Sequence, residues 1–141
     1  MVRFDTDFTG VIEACAQVPR PNQENSWISN RFIQGYTRLH ELGFAHSVEC
    51  YQDGKLAGGL YGVSLGVVFF GESMFHHIKD ASKVAFIKLV EQIREWGFRF
   101  IDCQVESPHL RQFGAEMISR ERYLAILETA VKESTRKGSW C

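Results

Sequence analysis

Two short runs of the chain place polar side chains where a folded core has no structural use for them. In FFGESMF, residues 69–75, Glu72 and Ser73 follow the apolar stretch Val67, Val68, Phe69 and Phe70. In IDCQV, residues 101–105, Asp102 and Gln104 alternate with Ile101, Cys103 and Val105. Burying such groups costs free energy unless they are paired. Carboxylates at strand ends beside an apolar pocket can take up a proton or hold a cation, which is how a catalytic centre looks in sequence. Asp102 and Gln104 stand two apart on a predicted strand and therefore share a face.

Other chemistries find less support. Of the five histidines, His76 and His77 are adjacent, and adjacent residues rarely chelate one ion. No cysteine or carboxylate spacing completes a site around them, so no metal is expected. His40 and His46 read as packing or surface residues, and His109 falls in the helix after IDCQV. The four cysteines (Cys15, Cys50, Cys103, Cys141) are widely scattered with no CxxC pair. That pattern predicts free thiols in a reducing cytoplasm. The N-terminal MVRFDTDF lacks a basic-then-apolar leader pattern. No run of about 18 apolar residues suggests a membrane span. The net charge of -1 does not announce a nucleic-acid binder. A local cluster of Arg120, Arg122, Lys132, Arg136 and Lys137 is offset by Glu121, Glu128 and Glu133 and reads as a solvated helix face. At 141 residues, 45% of them hydrophobic, the chain is expected to form one globular domain over 1–141.

The elements that must position the polar residues follow from periodicity. Thr9 is a candidate cap for a short helix through Val11, Ile12 and Ala16, broken by Pro19 and Pro21. Ser29 is a candidate N-cap for a helix through Leu42, with Gly43 at its C-terminal end. Residues 44–52 and 55–64 predict two strands joined by the Asp53-Gly54 hairpin turn. Gly58 and Gly59 indicate a bulge or a close backbone approach. Gly66 opens a third strand over 67–70. Residues 81–96 predict a helix with Phe86, Leu89, Val90, Ile93 and Trp96 on one face, ended by Gly97. Residues 99–105 predict a fourth strand. Ser107-Pro108 starts a short helix, and Ser119 starts a last one through Tyr123, Ile126, Leu127 and Ala130. An antiparallel meander, a crossover helix and a further strand indicate an α+β sandwich.

These motifs together resemble a known family. Trp27-Ile28-Ser29 with Gly35-Tyr36, LHELGFAHSVE at 39–49, GGLYGV at 58–63, FFGESMF, ASK at 81–83, IDCQV and RERYL at 120–124 look like leucyl/phenylalanyl-tRNA–protein transferases. The blocks are ordered and cover roughly residues 10–125; any one alone would be weak. The resemblance implies a GNAT-like acyltransferase fold with a mixed, mostly antiparallel sheet flanked by helices. It implies an aminoacyltransferase that moves Leu or Phe (less well Met) from aminoacyl-tRNA to the N-terminal Arg or Lys of a protein, marking it for degradation. No cofactor is implied. The partners would be the 3′ aminoacyl-adenosine end of the tRNA and the N-terminal peptide of the acceptor. The family carries a separate N-terminal domain and a C-terminal apolar segment, which this chain is expected to lack.

With that chemistry in view, the residues take candidate roles. The donor ester is already reactive, and a peptide α-amine with a pKa of about 7.7–8.0 is partly neutral at physiological pH. Orientation should then carry much of the rate. Gln104 would accept a hydrogen bond from the attacking amine, and Asp102 would polarise it or take the proton through a relay. Glu72, with Ser73 beside it, would recognise the donor's α-ammonium or the acceptor's cationic side chain. Glu49 is a further available acid. By the resemblance, Leu60, Phe69, Leu89 and Ile93 line the side-chain pocket; ordinary core packing is the alternative. Trp27 and Tyr36 offer flat faces to the terminal adenine. Two other classes stay open. A CoA-dependent N-acyltransferase needs a glycine-rich pyrophosphate loop at a helix N-terminus, and HHIKDASK before the main helix has none. A non-catalytic binding module could keep the same pocket.

Overall fold

The computed structural model describes residues 1–18 and 28–141. The predicted break at Pro19 and Pro21 and the candidate stacking residue Trp27 lie outside them. The elements run β1 (Val2–Phe4), α1 (Phe8–Gln17), α2 (Asn30–Glu41), β2 (Ala45–Gln52), β3 (Lys55–Leu65), β4 (Val68–His76), α3 (Ala81–Glu95), β5 (Phe100–Asp102), α4 (Pro108–Arg111) and α5 (Arg120–Ala130). Among the described residues the strands form one sheet in the order β1-β2-β3-β4-β5. The first three pairings are antiparallel and β4–β5 is parallel. The parallel pair needs a crossover, and α3 supplies it. This is the expected α+β layering, a mixed sheet flanked by helices.

Local chemistry explains most boundaries. Asp53 and Gly54 both have positive φ, 51° and 75°, as a two-residue turn matched to strand twist requires. Ser107 and Ser119 accept from the N–H groups of Leu110 and Arg122, capping α4 and α5 as predicted. Helix α1 differs: its cap is Asp7, accepting from Gly10 N–H at 3.0 Å, and not Thr9. Ser29 holds the N-cap position of α2 but makes no side-chain capping bond. Both alternatives raised by Gly58 occur. The β2–β3 register shifts opposite it, and a Cβ on Gly58 would lie 2.7 Å from the Ala81 methyl, where α3 lands on the sheet. Strand β1 escapes the sequence pattern because three residues are too few to show alternation.

The two sheet faces carry separate cores. On one, α3 lays Ala85, Phe86, Leu89 and Ile93 over Val48, Leu60 and Phe69. On the other, α1 lays Val11, Ile12 and Cys15 over Ala45, Tyr61 and Phe75. Each fully buried large side chain contributes about 1.5–3 kcal/mol. That exceeds any helix propensity term, so the amphipathic faces and not local preference fix the layers.

Polar groups buried in the sheet tie its first strand to its last residues. The Asp5 side chain is fully buried and accepts from Ser47 N–H (2.9 Å), Trp140 N–H (2.8 Å) and the His46 ring (2.8 Å). The His46 ring in turn stacks on Trp140 at 3.7 Å. Glu49 is also fully buried, accepting from the Thr6 hydroxyl at 2.7 Å and from the Ser47 hydroxyl. Glu49 is therefore not an exposed strand acid available to a substrate; the hydroxyls of Thr6, just after β1, and Ser47 engage both its oxygens. His46 and His40 are packing residues as expected, His40 stacking on Phe8 at 4.4 Å.

Burial disfavours the charged form of Asp5, but its bonds to His46, Ser47 and Trp140 outweigh this and hold its carboxyl below 3.8. A depressed folded value gives stability that is present above 3.8 and lost as pH falls through the lowered value. Asp5→Asn is expected to cost on the order of 3 kcal/mol at neutral pH. Denaturant titration across pH should show a constant gap from wild type above 3.8 that narrows only below it.

Candidate active site

The site begins with an irregularity in β4. Tyr61 pairs with Ser73 and Gly62 with Gly71, so Glu72 is an extra residue, a β-bulge. The bulge inverts the alternation. Phe69 and Met74 pack with the α3 core, whereas Phe75 packs with the α1 core. FFGESMF is thus not a strand end followed by a turn, as its sequence suggests. The strand continues through His76, and His76 belongs to it rather than to a loop. Gly71-Glu72-Ser73 has poor strand propensity, which is why the pattern breaks off at Phe70.

Beyond this point the sheet opens. β4 and β5 pair only from Val68–Phe100 to Phe70–Asp102. Past Phe70 and Asp102 the two chains separate, and a cavity of about 290 Å³ fills the gap. Leu60, Phe69, Phe86, Leu89 and Ile101 wall it, with Glu72 at its polar side. A larger cleft of about 840 Å³ lies beside the end of β5, against α3, α4 and α5, and includes Asp102, Gln104, Tyr123 and Ile93. The two share Ile101, Cys103 and Val105 as a common wall.

Strand β5 stops at Asp102 for a local reason. The Asp102 carboxylate accepts from the backbone N–H of Gln104 at 2.8 Å, an Asx-type turn that competes with the ladder. Gln104 has φ +64°, off the strand. Asp102 and Gln104 therefore do not share a strand face, contrary to the two-residue spacing. They are brought together by the turn instead. The other Asp102 oxygen accepts from the Tyr123 hydroxyl at 2.6 Å. The Gln104 side-chain amide crosses the opening and donates to the Gly71 carbonyl at 2.7 Å. Gln104 thus spans from the end of β5 to the residue before the bulged Glu72.

Glu72 has a tyrosine of its own. The Tyr36 phenol, on α2, lies near the Glu72 carboxylate and meets Tyr61 edge-on at 5.3 Å. Burial, then the Glu72 charge and hydrogen bond, push the Tyr36 phenol up to about 12. Burial, then the bond to and charge of Asp102, push Tyr123 up to about 12. Both phenols stay protonated donors near neutral pH. Burial and the Asp102 charge also raise the Cys103 thiol, so it is a poor nucleophile. The arrangement offers two carboxylates, Asp102 anchored by the Tyr123 phenol and Glu72 near that of Tyr36, beside a carboxamide and an apolar hole. Such a site can hold a cation and an apolar side chain and orient an amine between them.

The candidate residues divide as follows. Leu60, Phe69, Leu89, Glu72 and Ser73 line the smaller cavity together. Asp102 and Gln104 line the larger cleft, joined to the first group through Gly71. Ile93 is in the core and on the larger cleft, away from the Leu60 cavity. The Tyr36 ring packs against the α1-side core and turns its hydroxyl to Glu72, so it is not a bare face. The sequence pattern missed Tyr123 as a partner of Asp102, and missed Met74 and His109 as cavity lining. A signal for Tyr123 was present: it is the polar-tipped member of an otherwise apolar helix face. No group of three or more His, Cys, Asp or Glu side chains among the described residues is disposed to hold a metal ion.

Residues 1–128 match the family profile described as leucyl/phenylalanyl-tRNA protein transferase. The chain is 57% identical over 139 residues to the leucyl/phenylalanyl-tRNA–protein transferase of Myxococcus xanthus, covering 99% of this chain and 59% of that protein. Against the same-named proteins of Nitratidesulfovibrio vulgaris and Nitrosospira multiformis it is 52% and 51% identical, covering 99% of this chain and 59% and 60% of theirs. The chain thus spans about three-fifths of the length of the curated relatives it matches. With a profile match over most of its length, including both polar runs and the helix that carries Tyr123, the chain belongs to the leucyl/phenylalanyl-tRNA–protein transferase family.

Proposed function

We propose that this chain catalyses aminoacyl transfer from the 3′ end of a charged tRNA to the N-terminal amine of a protein. Leu or Phe, and less well Met, would be donated to an N-terminal Arg or Lys, labelling that protein for degradation in the cytoplasm. The supporting observation is the Gln104 carboxamide laid across the open end of the sheet, beside the tyrosine-anchored Asp102 carboxylate, Glu72 and an apolar cavity. We read the sheet, splayed between β4 and β5, as a GNAT-like fold and residues 1–141 as a single transferase domain that uses no cofactor.

The cavity of about 290 Å³ lies at the lower limit of small-molecule sites, about 300 Å³. It suits one amino-acid side chain. Its apolar walls would separate Leu and Phe from polar residues well, and Leu from Met poorly. Glu72 would hold a cationic group, the donor's α-ammonium or the acceptor's basic side chain. With its amide N–H engaged by Gly71, Gln104 keeps its carbonyl oxygen to accept from the incoming amine. The amine nitrogen bonds the ester carbonyl carbon, the bond to the ribose 3′ oxygen breaks, and the proton that the nitrogen gives up passes to that oxygen, which leaves as the hydroxyl. One Asp102 oxygen accepts from the Gln104 N–H and the other from the Tyr123 hydroxyl, so Asp102 orients Gln104 and keeps further lone pairs through which a relay could deliver the proton. The start of α3 carries Asp80 as its N-cap, ion-paired to Lys83 at 3.2 Å. A carboxylate there is unfavourable to a CoA pyrophosphate.

Incubating the chain with tRNA carrying radiolabelled Leu or Phe and a peptide beginning with Arg should yield labelled peptide. Donor binding without product would favour a binding module, and saturable CoA binding would overturn the choice of donor. Gln104→Ala should lower kcat by about 10- to 100-fold, the scale for losing one hydrogen bond to a group that becomes charged; an unchanged rate removes Gln104 from the chemistry. Glu72→Gln should raise KM for one substrate by about 10- to 100-fold with kcat less affected. The substrate whose KM rises is the one Glu72 holds, and no change in either excludes it.

A further inference from the structure

We propose that Tyr123 is a positioning residue for the transfer: through its bond to Asp102 it holds the turn that presents the Gln104 carboxamide. The inference rests on the transfer chemistry proposed above. The connection is a continuous chain of three hydrogen bonds. The Tyr123 hydroxyl donates to one Asp102 oxygen at 2.6 Å, and the Gln104 backbone N–H donates to the other at 2.8 Å. The Gln104 side chain then donates to the Gly71 carbonyl at 2.7 Å.

The turn needs such support. Gln104 holds a left-handed backbone, φ +64°, which an L-residue keeps only when its surroundings over-determine it. Gln104 is exposed, so packing does not hold it. Besides the Val105 N–H to Cys103 carbonyl bond at 2.7 Å that closes the turn, Asp102 anchors it through a single backbone bond, and a carboxylate fixed on one side only can rotate about its χ angles. The Tyr123 hydroxyl removes that freedom. It arrives from a different element, 21 residues further on, and its ring meets Phe100 of β5 at 5.9 Å. The ring therefore docks α5 on the strand while the hydroxyl reaches its end. Burial, then the hydrogen bond to and charge of Asp102, push the phenol up to about 12, so it remains a donor in the range near about pH 8 where the acceptor amine becomes neutral. Tyr123 would touch neither reactant in this scheme; it acts through Asp102.

Tyr123→Phe keeps the ring against Phe100 and removes only the hydroxyl. In the transfer assay it should lower kcat about tenfold, with KM for the charged tRNA unchanged, as expected for a hydrogen bond to a charged group. In an Asp102→Asn background the same substitution should add nothing further, because the two residues act in series. An unchanged kcat, or a loss that multiplies with Asp102→Asn, would overturn the proposal. A second readout needs no turnover. In the 15N-labelled full chain, the side-chain amide hydrogens of Gln104 should exchange faster with solvent in Tyr123→Phe than in wild type; equal exchange would overturn it. If wild type transfers nothing, the transfer reading fails on its own, and the exchange measurement still decides whether Tyr123 governs Gln104.

Discussion

The site depends on where β4 and β5 stop pairing. Three residue pairs hold these strands together, from Val68–Phe100 to Phe70–Asp102. A fourth would close the sheet over the cavity. Two local features prevent it, one on each strand. On β4 the extra residue Glu72 breaks the register. On β5 the Asp102 side chain takes the N–H of Gln104 that a ladder would otherwise use. The opening leaves backbone groups of β4 without a strand partner, and the Gln104 side chain satisfies one of them, at Gly71. A sheet edge inside a protein must be paired or covered. Here the cover is a polar side chain that remains accessible.

Such a gap is tolerable only if the remainder of the sheet is firmly held. The buried Asp5 joins β1, β2 and the last residues of the chain through Ser47, His46 and Trp140. Trp140 continues this contact into the α3 core, edge-on to Trp96 at 5.0 Å and tilted against Phe69 at 5.9 Å. Phe69 is itself a wall of the small cavity. The strand end that opens is therefore backed by rings that are locked from behind. Rigid elements place side chains more accurately than loops do, and the polar residues at issue all sit within two residues of a strand or on a helix.

Much of this was legible in the residues. The helical faces of α3 and α5, the Asp53-Gly54 hairpin and the serine caps of α4 and α5 follow from periodicity and turn chemistry. The polar residues inside FFGESMF and IDCQV were conspicuous for the reason that matters, since a core strand has no use for them. The geometry that unites them was not legible. A bulge leaves no mark in a two-residue alternation except to disrupt it, so β4 looked shorter than it is. The spacing of Asp102 and Gln104 suggested a shared strand face, but Asp is a residue whose side chain bonds its own backbone two positions on. Long-range partners were invisible for a different reason: Tyr36 and Glu72, and Tyr123 and Asp102, 21 residues apart, meet across different elements of the chain.

The choice of a carboxamide at position 104 follows from what stands on either side of it. Gly71 presents a carbonyl, an acceptor, which needs a donor. A glutamate there would set a carboxylate against that carbonyl, acceptor facing acceptor, close to the charges of Asp102 and Glu72. A lysine or arginine could donate to Gly71 but would offer nothing for an amine to donate to. Glutamine carries both functions on one planar group, so the bond that closes the gap in the sheet also fixes the direction of the oxygen that remains. In the proposed reaction an amine approaching from the cleft would meet an acceptor whose orientation is set by the backbone of β4. The same hydrogen bond thus serves the fold, by satisfying a strand edge, and the proposed chemistry, by removing the rotational freedom that the reacting geometry would otherwise have to overcome.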